Sequence, residues 1–75
     1  MKVGDIVVPI TDDSVKMAVI GFGVDIFNLT ALGHTTGIYS DDNSLPFVAA
    51  RYMADQCNSK VDYLEKVSLK VIEKS

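Results

Sequence analysis

Cys57 is the only cysteine in a chain of 75 residues, so no disulfide can staple the fold from within. A chain of this length buries only roughly 60% of the surface that its unfolded form exposes. A core of that size supplies about 3–5 kcal/mol of net stability. One economical core, and one domain over residues 1–75, is what such a chain can build. A lone thiol also fits a reducing compartment better than a secretory one. Met1-Lys2 runs straight into Val3-Gly4-Asp5, without the basic, apolar and cleavable pattern of a signal peptide. No apolar run approaches the ~20 residues of a membrane span. The expectation is a cytoplasmic protein with no membrane segment.

Hydrophobic spacing divides the chain into two halves. Ile6, Val8 and Ile10 alternate with Val7 and Pro9, which predicts a strand opened by Gly4-Asp5. Pro9 cannot donate to a ladder, so that end of the strand belongs at an edge. Thr11-Asp12-Asp13-Ser14 predicts a turn, because short polar side chains bond back to the local backbone. Val15, Met17 and Val19 continue as a second strand up to the Gly21/Gly23 break, and the two strands form a hairpin. Residues 25–32 are rich in Ile, Phe, Leu and Thr and predict a third strand; Gly37-Ile38-Tyr39 predicts a short fourth. Ser44 then offers a cap, Pro46 suits a first helical turn, and Phe47, Ala50, Met53, Ala54 and Cys57 recur at helical spacing. That spacing predicts one helix near 46–57. The tail carries both periods, and an early helical turn leading into a strand near 67–72 reconciles them. The architecture expected is α+β, an antiparallel sheet of four or five strands with one helix.

The opening Lys2-Val3-Gly4-Asp5-Ile6-Val7-Val8 resembles the start of small SH3-like barrels, in which Gly-Asp precedes the first strand. Gly37-Ile38-Tyr39 is similar to the Gly-hydrophobic-Tyr segment found on a later strand of those folds. The resemblance covers residues 2–45 and implies a small antiparallel SH3-like barrel. It is a likeness of fold, and fold does not fix function.

Reactive groups are sparse. Val19-Ile20-Gly21-Phe22-Gly23 looks like the start of a dinucleotide-binding fingerprint, but the third glycine position is Ile26 and no second βαβ half fits. His34 is the only histidine, and with Cys57 and the carboxylates it shows no metal-ligand spacing. Cys57 falls on the apolar stripe of the predicted helix, where a free cysteine behaves as a small hydrophobe. Asp12-Asp13 and Asp41-Asp42 lie in predicted turns without the spaced acids of a calcium loop. The expectation is no enzyme, no cofactor and no metal.

What remains is surface. Hydrophobic residues make up 48% of the chain, more than a small fold can hide, and Phe22, Phe27, Tyr39, Tyr52 and Tyr63 are the candidate anchors. The expected function is a protein-interaction module, an adaptor or inhibitor, with another protein or a second copy (a homo-oligomer) as partner. A small phage protein engaging a host factor has this shape of chain. Charge supplies the alternative. Residues 1–50 hold two cationic and six acidic side chains, net −4, whereas residues 51–75 hold five and four, net +1. Arg51, Lys60, Lys66, Lys70 and Lys74 are thus the candidate phosphate contacts of a nucleic-acid-binding SH3-like domain, although an acidic chain repels phosphate backbones.

Overall fold

The computed structural model describes residues 1–54 and 60–75. Among these residues five strands form one antiparallel sheet: β1 (Ile6–Pro9), β2 (Met17–Gly23), β3 (Phe47–Tyr52), β4 (Val61–Glu65) and β5 (Leu69–Glu73). Their order is β4-β3-β2-β1-β5. Among the described residues, one α-helix, α1 (Ile26–Thr36), connects β2 to β3, and a 3-10 turn (Lys66–Ser68) connects β4 to β5. The α+β class is as the sequence implies.

The β1–β2 hairpin forms as predicted, with Ile6 opposite Ala18 and Val7 opposite Met17. Pairing with β2 stops at Val7, so at Pro9 only β5 flanks the strand, and the missing donor costs nothing on the open side. The tail's strand near 67–72 forms as β5, two residues later than expected, but the early helical turn expected before it is not there. Val61–Glu65 is strand β4, whose β-branched and aromatic residues alternate along the sheet, and a 3-10 turn at Lys66–Ser68 joins β4 to β5.

The helix is not where its spacing placed it. Residues 47–52 of the predicted 46–57 helix are β3, residues 55–59 including Cys57 lie outside the described residues, and α1 occupies the segment predicted as the third strand. The decisive group is Asp25. Its Oδ1 accepts the Asn28 N–H at 2.6 Å, a cap that opens the helix despite its apolar, β-branched start. Gly37 closes it in the left-handed conformation (φ 69°), and its N–H donates to the Gly33 carbonyl. β3 imitates a helix because Val48, Ala49 and Ala50 are all buried: the core covers one face and α1 side chains approach the other. A strand covered on both faces loses its alternation, and a short continuous apolar run is then indistinguishable from a helical face. The predicted strand at Gly37-Ile38-Tyr39 reduces to one bridge, in which the Phe22 N–H donates to the Ser40 carbonyl at 2.9 Å.

Register separates the two faces of the sheet. Met17, Val19, Phe22, Val48 and Ala50 share the inner face with Val7 and Leu69 and form the core. Between Val19 and Gly21 the register slips by one residue, so that Ile20 is extra and the bulge returns Gly21 and Gly23 to the outer face, opposite Ala49 and Phe47. There α1 lies close. A Cβ on Gly23 would stand 2.9 Å from Leu29 Cδ1, and Leu29 is fully buried.

Asp5 ties the chain ends to this sheet. Its Oδ2 accepts the Lys2 N–H and its Oδ1 the Ser75 N–H, both at 2.8 Å. Gly4, at φ 94°, makes the turn that lets its own N–H reach the Val19 carbonyl. The Gly4-Asp5 pair is therefore a clamp, because glycine supplies the turn and aspartate receives both ends. The N–H bonds from Ser75 and Lys2 hold the Asp5 carboxyl below its ordinary value. A carboxyl lowered in the folded state stabilises fully above its unfolded value of about 3.9, and that contribution is lost as pH falls through the folded value. Asp12 and Asp42 are also lowered, by Ser14 and Ser44. Asp5→Asn is expected to lower the melting temperature at neutral pH, since its amide NH2 would face a backbone donor. It should also flatten the acid limb below about pH 4. Melting curves across pH 7 to 2.5 check both; an acid limb as steep as wild type would show that Asp5 is not coupled to folding.

Candidate functional site

Tyr39 shapes the outer face. Its ring is wedged between Gly21 of β2 and Gly33 of α1, where neither position has space for a Cβ. The Tyr39 and Tyr63 hydroxyls lie 3.1 Å apart, with ring centroids at 6.5 Å and a 54° tilt. Burial, then the bond to Tyr63, pushes the Tyr39 hydroxyl up to about 12, and the nearby Arg51 guanidinium pulls weakly the other way. The Tyr39 hydroxyl is thus neutral near pH 7, and the pair acts as a hydrogen-bonded strut.

Beyond this strut the outer face opens. Val61, Arg51, Ala18, Ile6 and Glu73 form one row across all five strands. Next to the Arg51 end of that row lies a groove of about 600 Å³, walled by Val3, Ile20, Ile38 and Tyr39, with Arg51 and Asp41 supplying charge. That volume is in the range of ligand pockets, about 300–1,000 Å³. Ile38 is 75% exposed and Val3 42% exposed, so apolar surface faces solvent. The Arg51 guanidinium and the Asp41 carboxylate make no hydrogen bond or ion pair, with each other or with other described residues. A smaller cavity of about 450 Å³ lies between the β1–β2 connection and the end of β3, lined by Val15, Lys16, Tyr52 and Met53.

The sequence-predicted anchors divide four ways. Phe22 is fully buried in the core and presents nothing to a partner, which corrects its reading as an anchor: its position opposite Val48 turns it inward. Phe27, in the first turn of α1, is 84% exposed. Tyr39 and Tyr63 are brought together on the outer face. Tyr52 is on the inner side, its hydroxyl donating to Asp62 Oδ2 at 2.8 Å and its ring lying 5.3 Å beneath the Lys60 ammonium. Of the basic set, Lys66 donates to the Asn43 carbonyl at 2.6 Å, Lys70 sits on β5 with β2 and β1 between it and Arg51, and Lys74 follows β5 near Lys2 and Asp5. They do not gather on one face. His34 is exposed on α1, and among the described residues no three potential ligands group to hold a metal. Sequence reasoning missed Val3, Ile20 and Ile38 as groove walls; the bulge at Ile20 had no sequence signal, and Ile38 was spent on a strand.

No protein-family model matches the chain, and neither a curated protein nor a solved structure is similar enough to count as a match. No helix among the described residues is long and apolar enough to cross a membrane.

Proposed function

We propose that this chain is a small protein-interaction module, and that the outer-face groove is where it grips its partner. The carrying observation is the joining of aliphatic walls (half-buried Ile20, exposed Val3 and Ile38) in one concave site with a tyrosine and an arginine that makes no ion pair among the described residues. Tyrosine and arginine are the side chains most enriched where interface energy concentrates, and a rigid backing lowers the entropic cost of association. Tyr39 has such a backing in Gly21, Gly33 and Tyr63. The SH3-like reading of the sheet draws support from Gly4-Asp5 standing before β1 and from the pairing of β1 with β5. An adaptor or an inhibitor, including one directed at a host factor, would use the same groove.

The nucleic-acid reading is weaker. Lys60 and Lys66 are engaged within the fold, Asp41 lines the same groove as Arg51, and the chain carries a net charge of −3.

Capture from a lysate of the native source, run in parallel with wild type and Ile38→Glu, tests the proposal. Ile38 is exposed, so the variant should melt with wild type yet lose the proteins that wild type retains. Light scattering on the same samples reads self-association, the case in which the partner is a second copy. Identical capture and identical mass for the two proteins would sink the reading.

A further inference from the structure

We infer that the groove recognises a short peptide segment of a partner that carries a single acidic side chain flanked by aliphatic ones. This rests on the groove being the binding face. The argument begins with charge. Arg51 is the only cation among the groove's described lining residues, and among the described residues its guanidinium makes no ion pair or hydrogen bond. Its neighbours across the strands are Ala18 and Val61, side chains that offer it no acceptor. A guanidinium in such surroundings retains its full set of fork-like donors, which match a carboxylate bidentately. Partial exclusion of water by Val3, Ile20 and Ile38 strengthens that pairing relative to one on an open surface. The same walls suit aliphatic neighbours on either side of the acid.

Asp41 narrows the choice further. Asp41 lines the same groove and makes no ion pair among the described residues, so a run of acids or a polyphosphate backbone would meet far more repulsion than a single acid placed on Arg51. The structure therefore discriminates between one carboxylate and many.

The test is selection from a surface-displayed library of random peptides against the full chain, followed by affinity measurement with wild type, Arg51→Gln, Arg51→Glu and Ile38→Glu. Enriched peptides should share one Asp or Glu beside Ile, Leu or Val. Arg51→Gln should weaken them about tenfold or more, the scale of a lost charge-assisted bond. Arg51→Glu should prefer the same peptides with lysine in place of the acid. Peptides that lack an acid, or that bind Arg51→Gln as tightly as wild type while losing affinity for Ile38→Glu, would overturn this inference and leave the groove as a binding face. No enrichment, or binding indifferent to Ile38→Glu as well, would overturn both. Each variant's melting temperature confirms that the fold survives.

Discussion

Phe22→Ala is expected to leave the chain largely unfolded at room temperature. Phe22 is the largest of the fully buried side chains among the described residues, and it packs in one core cluster with Met17, Val19 and Val48. Removing a buried phenylalanine costs about 3–5 kcal/mol, the transfer of the ring plus the cavity it leaves. A fold of this size has about 3–5 kcal/mol in total, so the loss equals the reserve. Phe22 also closes the bridge to Ser40 through its N–H, so collapse of the site would loosen the segment that carries Ile38 and Tyr39. Phe27→Ala provides the contrast: at 84% exposure the ring adds little to stability, and the variant should melt within a few degrees of wild type. Circular dichroism and urea titration of the two variants check the pair. A Phe22→Ala protein with native near-UV signal and an unchanged midpoint would mean that Phe22 lies outside the core.

The contrast between these two phenylalanines shows what a sequence of this kind does and does not disclose. Ile6-Val7-Val8 and Met17-Ala18-Val19 were legible as strands because each carries alternation or β-branching and each is bounded by a turn with its own chemistry. Which way Phe22 faces was not legible, although core was the commoner fate for each aromatic, because its facing depends on the bulge at Ile20 and nothing in Val19-Ile20-Gly21-Phe22 announces a slipped register. Helix and strand changed places for a related reason. Asp25 caps a helix whose apolar residues read as a strand, while Val48-Ala49-Ala50 is a strand whose burial on both faces reads as a helix. Tertiary cover decided both. The groove was hidden more completely: Val3, Ile20, Ile38 and Arg51 are far apart in the chain and meet only through sheet order and the path of residues 37–41. Arg51 did stand out as a charge, but its chemistry follows from what surrounds it, and that is set by register.

Gly21→Ala should be almost as damaging as loss of the core phenylalanine, although it adds a single methyl group. A Cβ at this position would overlap the Tyr39 Cβ and stand 3.1 Å from the Ser40 carbonyl oxygen. Neither obstacle can swing aside. The Tyr39 Cβ is the root of its side chain, the ring is held against Gly33 and bonded to Tyr63, and Ser40 is backbone bridged to Phe22. Overpacking costs about 1–3 kcal/mol where neighbours can relax, and here the upper end or more is expected, about 3 kcal/mol. Gly37 serves as the control. Its φ of 69° strains any other residue, yet no atom lies within 4 Å of an added Cβ, so Gly37→Ala should cost only the left-handed penalty of about 1–2 kcal/mol. A double-mutant cycle identifies the cause: once Tyr39→Gly has removed the obstructing Cβ, adding Gly21→Ala should cost far less than it does alone. Urea midpoints for the two single variants and the double variant measure that coupling. Strictly additive losses would mean that Tyr39 is not wedged against β2. Coupled losses would tie the sheet, the helix and the groove wall to one close approach, so that any Gly21 variant that still folds should carry a displaced Tyr39 and a weakened groove.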